Sequence, residues 1–248
     1  MKINFQNAAF DYEPYPIAYI PSFLDAETYA ELARTYPEKE IFDYSENVGA
    51  KYTLSETTNK KNLHGFLAET PSWNAFYKKI KTKEFVQNVI DFLNRNHIDL
   101  GIRKFVYEPS LDYRRRGPIR RSLNTTVLRS RFEFSSMSAD GGNVVAHTDG
   151  PLKIITLVVS FISDGEWDTP SYGGGTSVVV PKDKSQLYNH LNKFKRLDEV
   201  DFVKTFDFVP NQCVFFIKTY NSWHAVAAMT GPSTALRKTL IINIENIP

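Results

Sequence analysis

The sequence contains one cysteine, Cys213, so no disulfide can form within the chain. This excludes the small secreted scaffolds that are held together by disulfides. The sequence also lacks the run of about 18 apolar residues that a membrane-spanning helix needs. Its opening, MKINFQNAAF, is too polar for a secretory signal peptide. We therefore expect a cytoplasmic protein with no membrane association, in a compartment that would keep iron ferrous.

A strong net charge is missing as well. The formal charge is +2, so no long-range field attracts nucleic acid or anionic lipid, and no nucleic-acid partner is predicted. One segment departs from this balance, because residues 101–131 hold nine basic and two acidic residues, a local charge of +7. A solvated loop and a lid or docking surface for an anionic substrate both remain open. The nine basic residues are Arg103, Lys104, Arg114, Arg115, Arg116, Arg120, Arg121, Arg129 and Arg131.

The first hundred residues predict a mixed α/β region. A strand is predicted at 15–23. Predicted helices are capped by Asp25, Ser72 and Thr82, and they run towards Pro37, through 73–77 and through 85–93. In the third helix Phe85, Val89, Phe92 and Leu93 form an apolar stripe at helical spacing. Such helices would cover one face of a sheet.

From about residue 103 the apolar pattern changes to a period of two, which is typical of strands. Many strands separated by Gly and Pro turns favour a sandwich or jelly roll, interrupted by one predicted helix at 183–195. We predict a single domain over 1–248, with 1–100 as a supporting region and 101–248 as the β core. The predicted strands are 103–107, 126–135, 143–147, 152–163, 175–181, 202–209, 212–218, 223–228 and 237–245.

The chemistry is predicted to reside in two histidines, an aspartate and an arginine. His147 and Asp149 lie two residues apart in a predicted strand, and would therefore share one face. His224 lies between apolar runs and could supply a third ligand. Two histidines and one carboxylate leave half of an octahedron open, as a non-haem Fe(II) oxygenase requires. Arg237 and Thr239 share a face of the last strand and suit a carboxylate ligand.

These motifs, taken in order, resemble those of the 2-oxoglutarate/Fe(II)-dependent dioxygenases, and among them the prolyl-4-hydroxylase-like group. The resemblance covers about residues 127–246. It consists of HTDGPLKIITLVVSFI, GGGTSVVV (173–180), VPNQCVFF (209–216), NSWHAV and LRKTLIINIE (236–245). The His-x-Asp triplet is weak on its own, whereas the ordered set is specific.

The resemblance implies a mainly β (α+β) fold with a double-stranded β-helix (jelly roll, cupin-like) core and supporting N-terminal helices. It implies Fe(II) bound by His147, Asp149 and His224, and 2-oxoglutarate whose far carboxylate pairs with Arg237 and Thr239. O2 is the oxidant, and ascorbate is a further candidate cofactor. The implied reaction hydroxylates an aliphatic C–H bond and releases succinate and CO2. In this family, enzymes that halogenate lack the carboxylate ligand, so Asp149 favours hydroxylation.

The sequence departs from the oxygen-sensing members of that family at two tyrosines. If Thr156 is aligned with the family's strand threonine, Ser160 takes the place of one tyrosine, and Met137 lies near the place of the other. The cosubstrate is then held partly by other groups, or its pocket has another shape. The substrate stays open between a peptidyl proline, a free amino acid, a sugar and a lipid-linked group, with the basic segment favouring an anion. Two alternatives are a cupin-like metal hydrolase or isomerase and a non-catalytic jelly-roll binding module.

Overall fold

A computed structural model describes residues 2–46, 50–110, 126–163 and 165–247. Its described part is mainly β, as predicted, with thirteen strands and five α-helices. The strands are β1 (Ala9–Asp11), β2 (Ile17–Ile20), β3 (Asp43–Ser45), β4 (Lys51–Ser55), β5 (Phe105–Tyr107), β6 (Thr126–Ser138), β7 (Val144–His147), β8 (Lys153–Phe161), β9 (Thr176–Pro181), β10 (Val200–Phe206), β11 (Cys213–Ile217), β12 (His224–Val226) and β13 (Leu236–Asn246). The helices are α1 (Ala26–Arg34), α2 (Lys60–Glu69), α3 (Pro71–Ile80), α4 (Lys83–Arg95) and α5 (Thr169–Tyr172).

The strands form two sheets in which nearly all neighbours are antiparallel. The larger sheet has the order β1-β2-β11-β8-β13-β6-β4-β3, and β5 joins β6 in parallel. The smaller sheet has the order β10-β9-β12-β7. Strand β13 pairs along its length with both β6 and β8, so these three long strands form the centre of the larger sheet.

Alternation along the central strands separates a helix-covered face from a polar face. On β13, Leu240, Ile242 and Ile244 are fully buried in the main apolar core. That core also contains the apolar stripe of α4 and the buried side chains of α1 to α3. Intervening residues of β13, such as Arg237 and Ile241, line a cavity on the opposite face. Because side chains alternate along a strand, one face of β13 packs in the core and the other lines the cavity.

Trp73 on α3 lies at the centre of the main core. Its ring is fully buried against Tyr36, Phe134 and Phe161, and its Nε1 donates a hydrogen bond of 2.9 Å to a backbone carbonyl. We expect Trp73→Ala to lower the free energy of unfolding by about 3–5 kcal/mol, because it opens a large cavity. Chemical denaturation would measure the loss. Tyr188→Ala, at a position 71% exposed, serves as the control and should change stability by less than about 0.5 kcal/mol.

Most predicted elements are confirmed. All nine strands predicted after residue 103 are present, with ends that differ by at most three residues. Asp25 and Thr82 cap α1 and α4, since each side chain accepts a hydrogen bond from the third residue beyond it. The predicted strand at 15–23 is the shorter β2. Strands β1 to β4, all within the first hundred residues, pair into the larger sheet.

Two predictions about helices are wrong. The predicted helix at 183–195 is only a 3₁₀ turn, Lys184–Gln186, followed by irregular chain. Asn189 is one cause, because its side chain bonds the backbone of Lys193 and competes with helical hydrogen bonds. The predicted cap Ser72 lies inside α3, which starts at Pro71 after Thr70 as N-cap. Proline suits this first position because its missing N–H would have no helical partner there.

Five arginines of the basic segment fall outside the described residues: Arg114, Arg115, Arg116, Arg120 and Arg121. In the described part, no helix is both long and apolar enough to cross a membrane.

Candidate functional site

His147, Asp149 and His224 lie together at one end of the smaller sheet. Strands β7 and β12 are antiparallel neighbours, and His147 is the direct partner of His224 in their register. The candidate ligand atoms of the three residues all lie within 4.8 Å of one another. Strand pairing therefore brings together residues that are 77 positions apart in the chain, and this cluster could hold a metal ion.

Asp149 reaches the cluster by a different route from the predicted one. Strand β7 ends at His147, and Asp149 follows in a turn with a φ of 70°. The prediction that both residues share a strand face is therefore wrong. A left-handed backbone is uncommon outside glycine, but aspartate tolerates it better than most residues. The turn still places Asp149 Oδ1 3.7 Å from His147 Nε2.

Both imidazoles are arranged as neutral ligands. The Nδ1 atom of His147 lies 3.0 Å from the carbonyl oxygen of Val145, and that of His224 lies 2.9 Å from the carbonyl oxygen of Ser222. A carbonyl only accepts, so each Nδ1 carries the hydrogen and each Nε2 presents a lone pair. Burial lowers the pKa of both rings, that of His147 to about 3. The donor set therefore fits a divalent metal ion.

Asp149 is held as a carboxylate by its neighbours. Burial alone would raise its pKa, but the ammonium of Lys153 outweighs that effect and holds the pKa well below its usual value. Lys153 Nζ lies 2.5 Å from Oδ1, and the hydroxyl of Thr156 donates to Oδ2 at 2.8 Å. Each carboxylate oxygen thus has a fixed partner.

Asn243 extends this arrangement by one residue. Its side-chain oxygen is placed 3.0 Å from the Thr156 hydroxyl, while its buried nitrogen has no partner. The hydroxyl has one hydrogen, which Asp149 receives, and the two amide atoms look alike in most structures. With the amide turned over, the nitrogen of Asn243 donates to Thr156, and Thr156 donates to Asp149. We therefore assign a hydrogen-bond chain that orients the carboxylate.

Arg237 lies in the same cavity as the His-Asp-His cluster. This cavity of about 110 Å³ lies between the two sheets and is lined by residues of both. Arg237 is 5% exposed, and its guanidinium stacks on Phe208 at 4.9 Å. Its Nε donates to the carbonyl of Gly174 at 2.5 Å. Burial lowers its pKa only to about 10, so it remains a cation at neutral pH.

No carboxylate of the described residues lies within 4.0 Å of the Arg237 guanidinium, whose neighbours are instead neutral groups. A buried cation without a counter-ion is costly, because water has been removed from it and nothing has replaced the water. An anionic ligand entering the cavity would supply the missing partner, and guanidinium binds carboxylates through two parallel hydrogen bonds.

The structure separates Thr239 from the cavity. Thr239 is fully buried on β13, and its hydroxyl donates to the carbonyl of Ser135 at 3.2 Å. Thr176 lines the cavity instead, 3.5 Å from the Arg237 guanidinium. Of the positions that depart from the family's tyrosines, Met137 lines the cavity, while the hydroxyl of Ser160 bonds the carbonyl of Val209.

Sequence reasoning missed three charged residues of the cavity: Lys51, Glu133 and Lys153. For Glu133 a signal was available, because it alternates with the apolar Phe132 and Phe134 and therefore lies on the polar face of β6. Lys51 could not be found this way, since β4 was not among the predicted strands. Lys51 Nζ lies 2.8 Å from Glu133, and Arg131 approaches the same carboxylate at 3.1 Å.

Glu133 should make stability depend on pH. Burial alone would raise its pKa, but Lys51 and Arg131 outweigh that effect and lower the pKa to about 2. The depressed pKa means that the stabilisation is present above the unfolded value near 4.5 and is lost as pH falls towards 2. We expect Glu133→Gln to cost about 3 kcal/mol at pH 7 and much less at pH 3.

Urea unfolding of wild type and variant at both pH values would measure this difference. Glu31, which forms an exposed pair with Arg34, gives the matched control Glu31→Gln. A cost for Glu133→Gln that is the same at pH 3 as at pH 7 would contradict the assignment.

Comparison with known proteins supports the fold. Neither a protein-family model nor a curated protein sequence matches the chain. Among solved structures, a prolyl-4-hydroxylase from Pseudomonas putida matches with a TM-score of 0.50 and 12% sequence identity, over 94% of this chain and 93% of that one. The chain shares its fold with this prolyl-4-hydroxylase. The resemblance inferred from the sequence is thus confirmed at the level of the fold.

Two further solved structures also match, with TM-scores below 0.50. A prolyl hydroxylase from Trichoplax adhaerens, in complex with a hypoxia inducible factor peptide, has a TM-score of 0.49 and 10% identity, over 93% of this chain and 83% of that one. HygX from Streptomyces hygroscopicus, with nickel and 2-oxoglutarate bound, has a TM-score of 0.48 and 9% identity, over 92% and 82%.

Proposed function

We propose that the protein is a 2-oxoglutarate- and Fe(II)-dependent dioxygenase that hydroxylates an aliphatic C–H bond. His147, Asp149 and His224 hold the metal in this proposal. Bound Fe(II) would supply the O2 chemistry that couples decarboxylation of 2-oxoglutarate to succinate with substrate hydroxylation. The two sheets then correspond to the double-stranded β-helix of such enzymes, with 101–248 as the catalytic core and 1–100 as its support within one domain.

The observation that carries the proposal is the unpaired Arg237 in the cavity of the His-Asp-His cluster. A metal site alone is compatible with many reactions. A buried guanidinium that lines the same cavity, with no carboxylate partner among the described residues, calls for an anion that also reaches the metal. A dicarboxylate with a 2-oxo group meets both demands, since one end can chelate the metal while the other pairs with Arg237.

The chain's own residues would bind and orient the reactants. The Val145 and Ser222 carbonyls hold the two imidazoles in the tautomer that a metal requires. Thr156 and Lys153 fix the carboxylate of Asp149. Apolar side chains of the cavity wall, among them Val158 and Phe216, limit the access of water. Thr176 is the hydroxyl best placed to share the cosubstrate carboxylate with Arg237, because the hydroxyl of Thr239 donates instead to the carbonyl of Ser135.

The test is turnover of 2-oxoglutarate. Purified protein is supplied with Fe(II), 2-oxoglutarate, ascorbate and O2, and succinate is measured with and without panels of prolyl peptides and free amino acids. We expect slow succinate release without substrate and faster release with the right class. Absence of both release and binding of 2-oxoglutarate, in protein that binds iron, would refute the proposal.

Two other functions would give different results. A cupin-like hydrolase or isomerase would use Zn(II) or Mn(II) in the same cluster and would not need Arg237, so its activity should survive loss of that residue. A non-catalytic binding module would bind metal without turning over 2-oxoglutarate. The substrate within the oxygenase proposal is a small molecule or a peptide, and prolyl specificity is one candidate.

A further inference from the structure

We infer that the molecule to be oxidised carries a negative charge, a carboxylate in the simplest case, which the ammonium of Lys153 binds. The inference rests on the proposed function and names the substrate class of that same site. The cation in this inference is Lys153. The proposed function already pairs the other buried cation, Arg237, with the cosubstrate.

Lys153 is in contact with the candidate metal ligands. It begins β8, lines the cavity, and places Nζ 2.5 Å from Asp149 Oδ1. This is also the oxygen that faces Nε2 of His147 at 3.7 Å. A metal ion bound by the histidines would therefore share this oxygen with the ammonium. Because both are cations, metal binding weakens the pairing of Lys153 with Asp149.

No other carboxylate of the described cavity is free to receive Lys153. Glu133 is paired with Lys51 at 2.8 Å and with Arg131 at 3.1 Å. The nearest acidic residue in strand register is Glu245, which is paired with Arg129 at 2.7 Å and with Arg131 at 3.5 Å. In a metal-loaded site the ammonium thus shares Asp149 with the metal, and the nearby Glu133 is shared with Lys51 and Arg131, so no carboxylate of the described cavity pairs with Lys153 alone.

The charge balance of the side chains that line the cavity gives the sign of the missing charge. Its charged side chains are three cations and two carboxylates, a net charge of +1: Lys51, Lys153, Arg237, Glu133 and Asp149. A divalent metal and a dianionic 2-oxoglutarate cancel each other, so the loaded cavity keeps a charge of +1. An anionic substrate would offset this positive charge, and Lys153 is the cation that contacts the candidate metal ligand Asp149.

The experiment compares small acids with their amides. Mn(II)-loaded protein with 2-oxoglutarate is titrated with acetate, propionate, acetamide and propionamide, and broadening of the ligand proton resonances by Mn(II) reports binding near the metal. We expect the acids to bind roughly 10-fold or more tightly than the amides. Lys153→Met should abolish the preference, and Lys153→Arg should retain it. Affinity for Mn(II) and for 2-oxoglutarate is measured in both variants as well, because Lys153 also contacts Asp149.

Each contrary outcome has a distinct meaning. Equal broadening by acids and amides, broadening by neither, or an acid preference that survives Lys153→Met would overturn the inference. A large loss of 2-oxoglutarate affinity in Lys153→Met would also overturn it, because the ammonium would then serve the cosubstrate. Failure of the wild type to bind Mn(II) or 2-oxoglutarate, measured first by calorimetry, would refute the proposed function and the inference with it.

Discussion

Replacing His224 with alanine is expected to weaken binding of Mn(II) or Co(II) by more than about 100-fold. Loss of residues that merely orient a ligand already costs 10- to 100-fold in metal affinity, and loss of a ligand should cost more. His224 is 7% exposed, and its Nδ1 is occupied by the carbonyl of Ser222, so the ring has one nitrogen to offer the site. With that nitrogen removed, His147 and Asp149 alone would leave the metal weakly held.

Calorimetric titration of the metal-free protein would measure the affinity. Thermal unfolding with and without metal gives a second readout, because a ligand at 100 times its Kd stabilises the folded state by about 2.7 kcal/mol. His190→Ala is the matched control, since His190 is exposed and outside the cluster. If His224→Ala folds and still binds metal as the wild type does, the predicted ligand set is incorrect.

The strands after residue 103 could be predicted from the sequence because their apolar residues recur with a period of two. On β13, for example, the core residues Leu240, Ile242 and Ile244 are spaced two apart, and Thr239, Asn243 and Glu245 among the intervening residues are polar. Strand pairing could not be predicted in the same way. That His147 lies opposite His224 follows from the register of β7 and β12, which no local pattern contains.

Asp149 shows why a correct ligand can be predicted for an incorrect reason. The sequence placed it on the face of a strand, whereas the structure places it in a turn beyond the strand end. The carboxylate lies beside the histidines because two residues near the start of β8, Lys153 and Thr156, each form a hydrogen bond with it. Such contacts depend on tertiary structure, and a strand pattern in the sequence carries no information about them.

The wrong helix at 183–195 has a similar origin. Leu187 and Leu191 fit a helical period, but Asn189 and Asn192 use their side chains elsewhere. Asn189 bonds Lys193, and Asn192 accepts a hydrogen bond from the backbone of Thr148, next to His147. These side-chain hydrogen bonds, one of them to the neighbouring site, therefore outweigh the helical pattern of the segment.

Arg237→Met is expected to weaken binding of 2-oxoglutarate without lowering the stability of the fold. Methionine keeps much of the volume but removes the charge, so the Kd for 2-oxoglutarate should rise by roughly 100-fold, the effect of deleting one partner of a buried charged pair. Without cosubstrate, the variant should be as stable as the wild type or more stable. The reason is that Arg237 is 5% exposed with no carboxylate partner in the described structure, so it costs desolvation energy that a ligand would offset.

Lys238→Met is the matched control for this variant. Lys238 is the next residue along the strand, points to the other face, and pairs with the exposed Glu166 at 3.1 Å. Its loss should change neither the affinity for 2-oxoglutarate nor the free energy of unfolding by more than about 1 kcal/mol.

Anaerobic titration of Fe(II)-loaded protein with 2-oxoglutarate measures the affinity through the visible charge-transfer band of the complex. Urea unfolding measures the stability. Unchanged affinity for 2-oxoglutarate in Arg237→Met would place the far carboxylate elsewhere in the cavity. Lower stability without ligand would mean instead that Arg237 is a structural cation whose contacts with Gly174 and Phe208 hold the fold together.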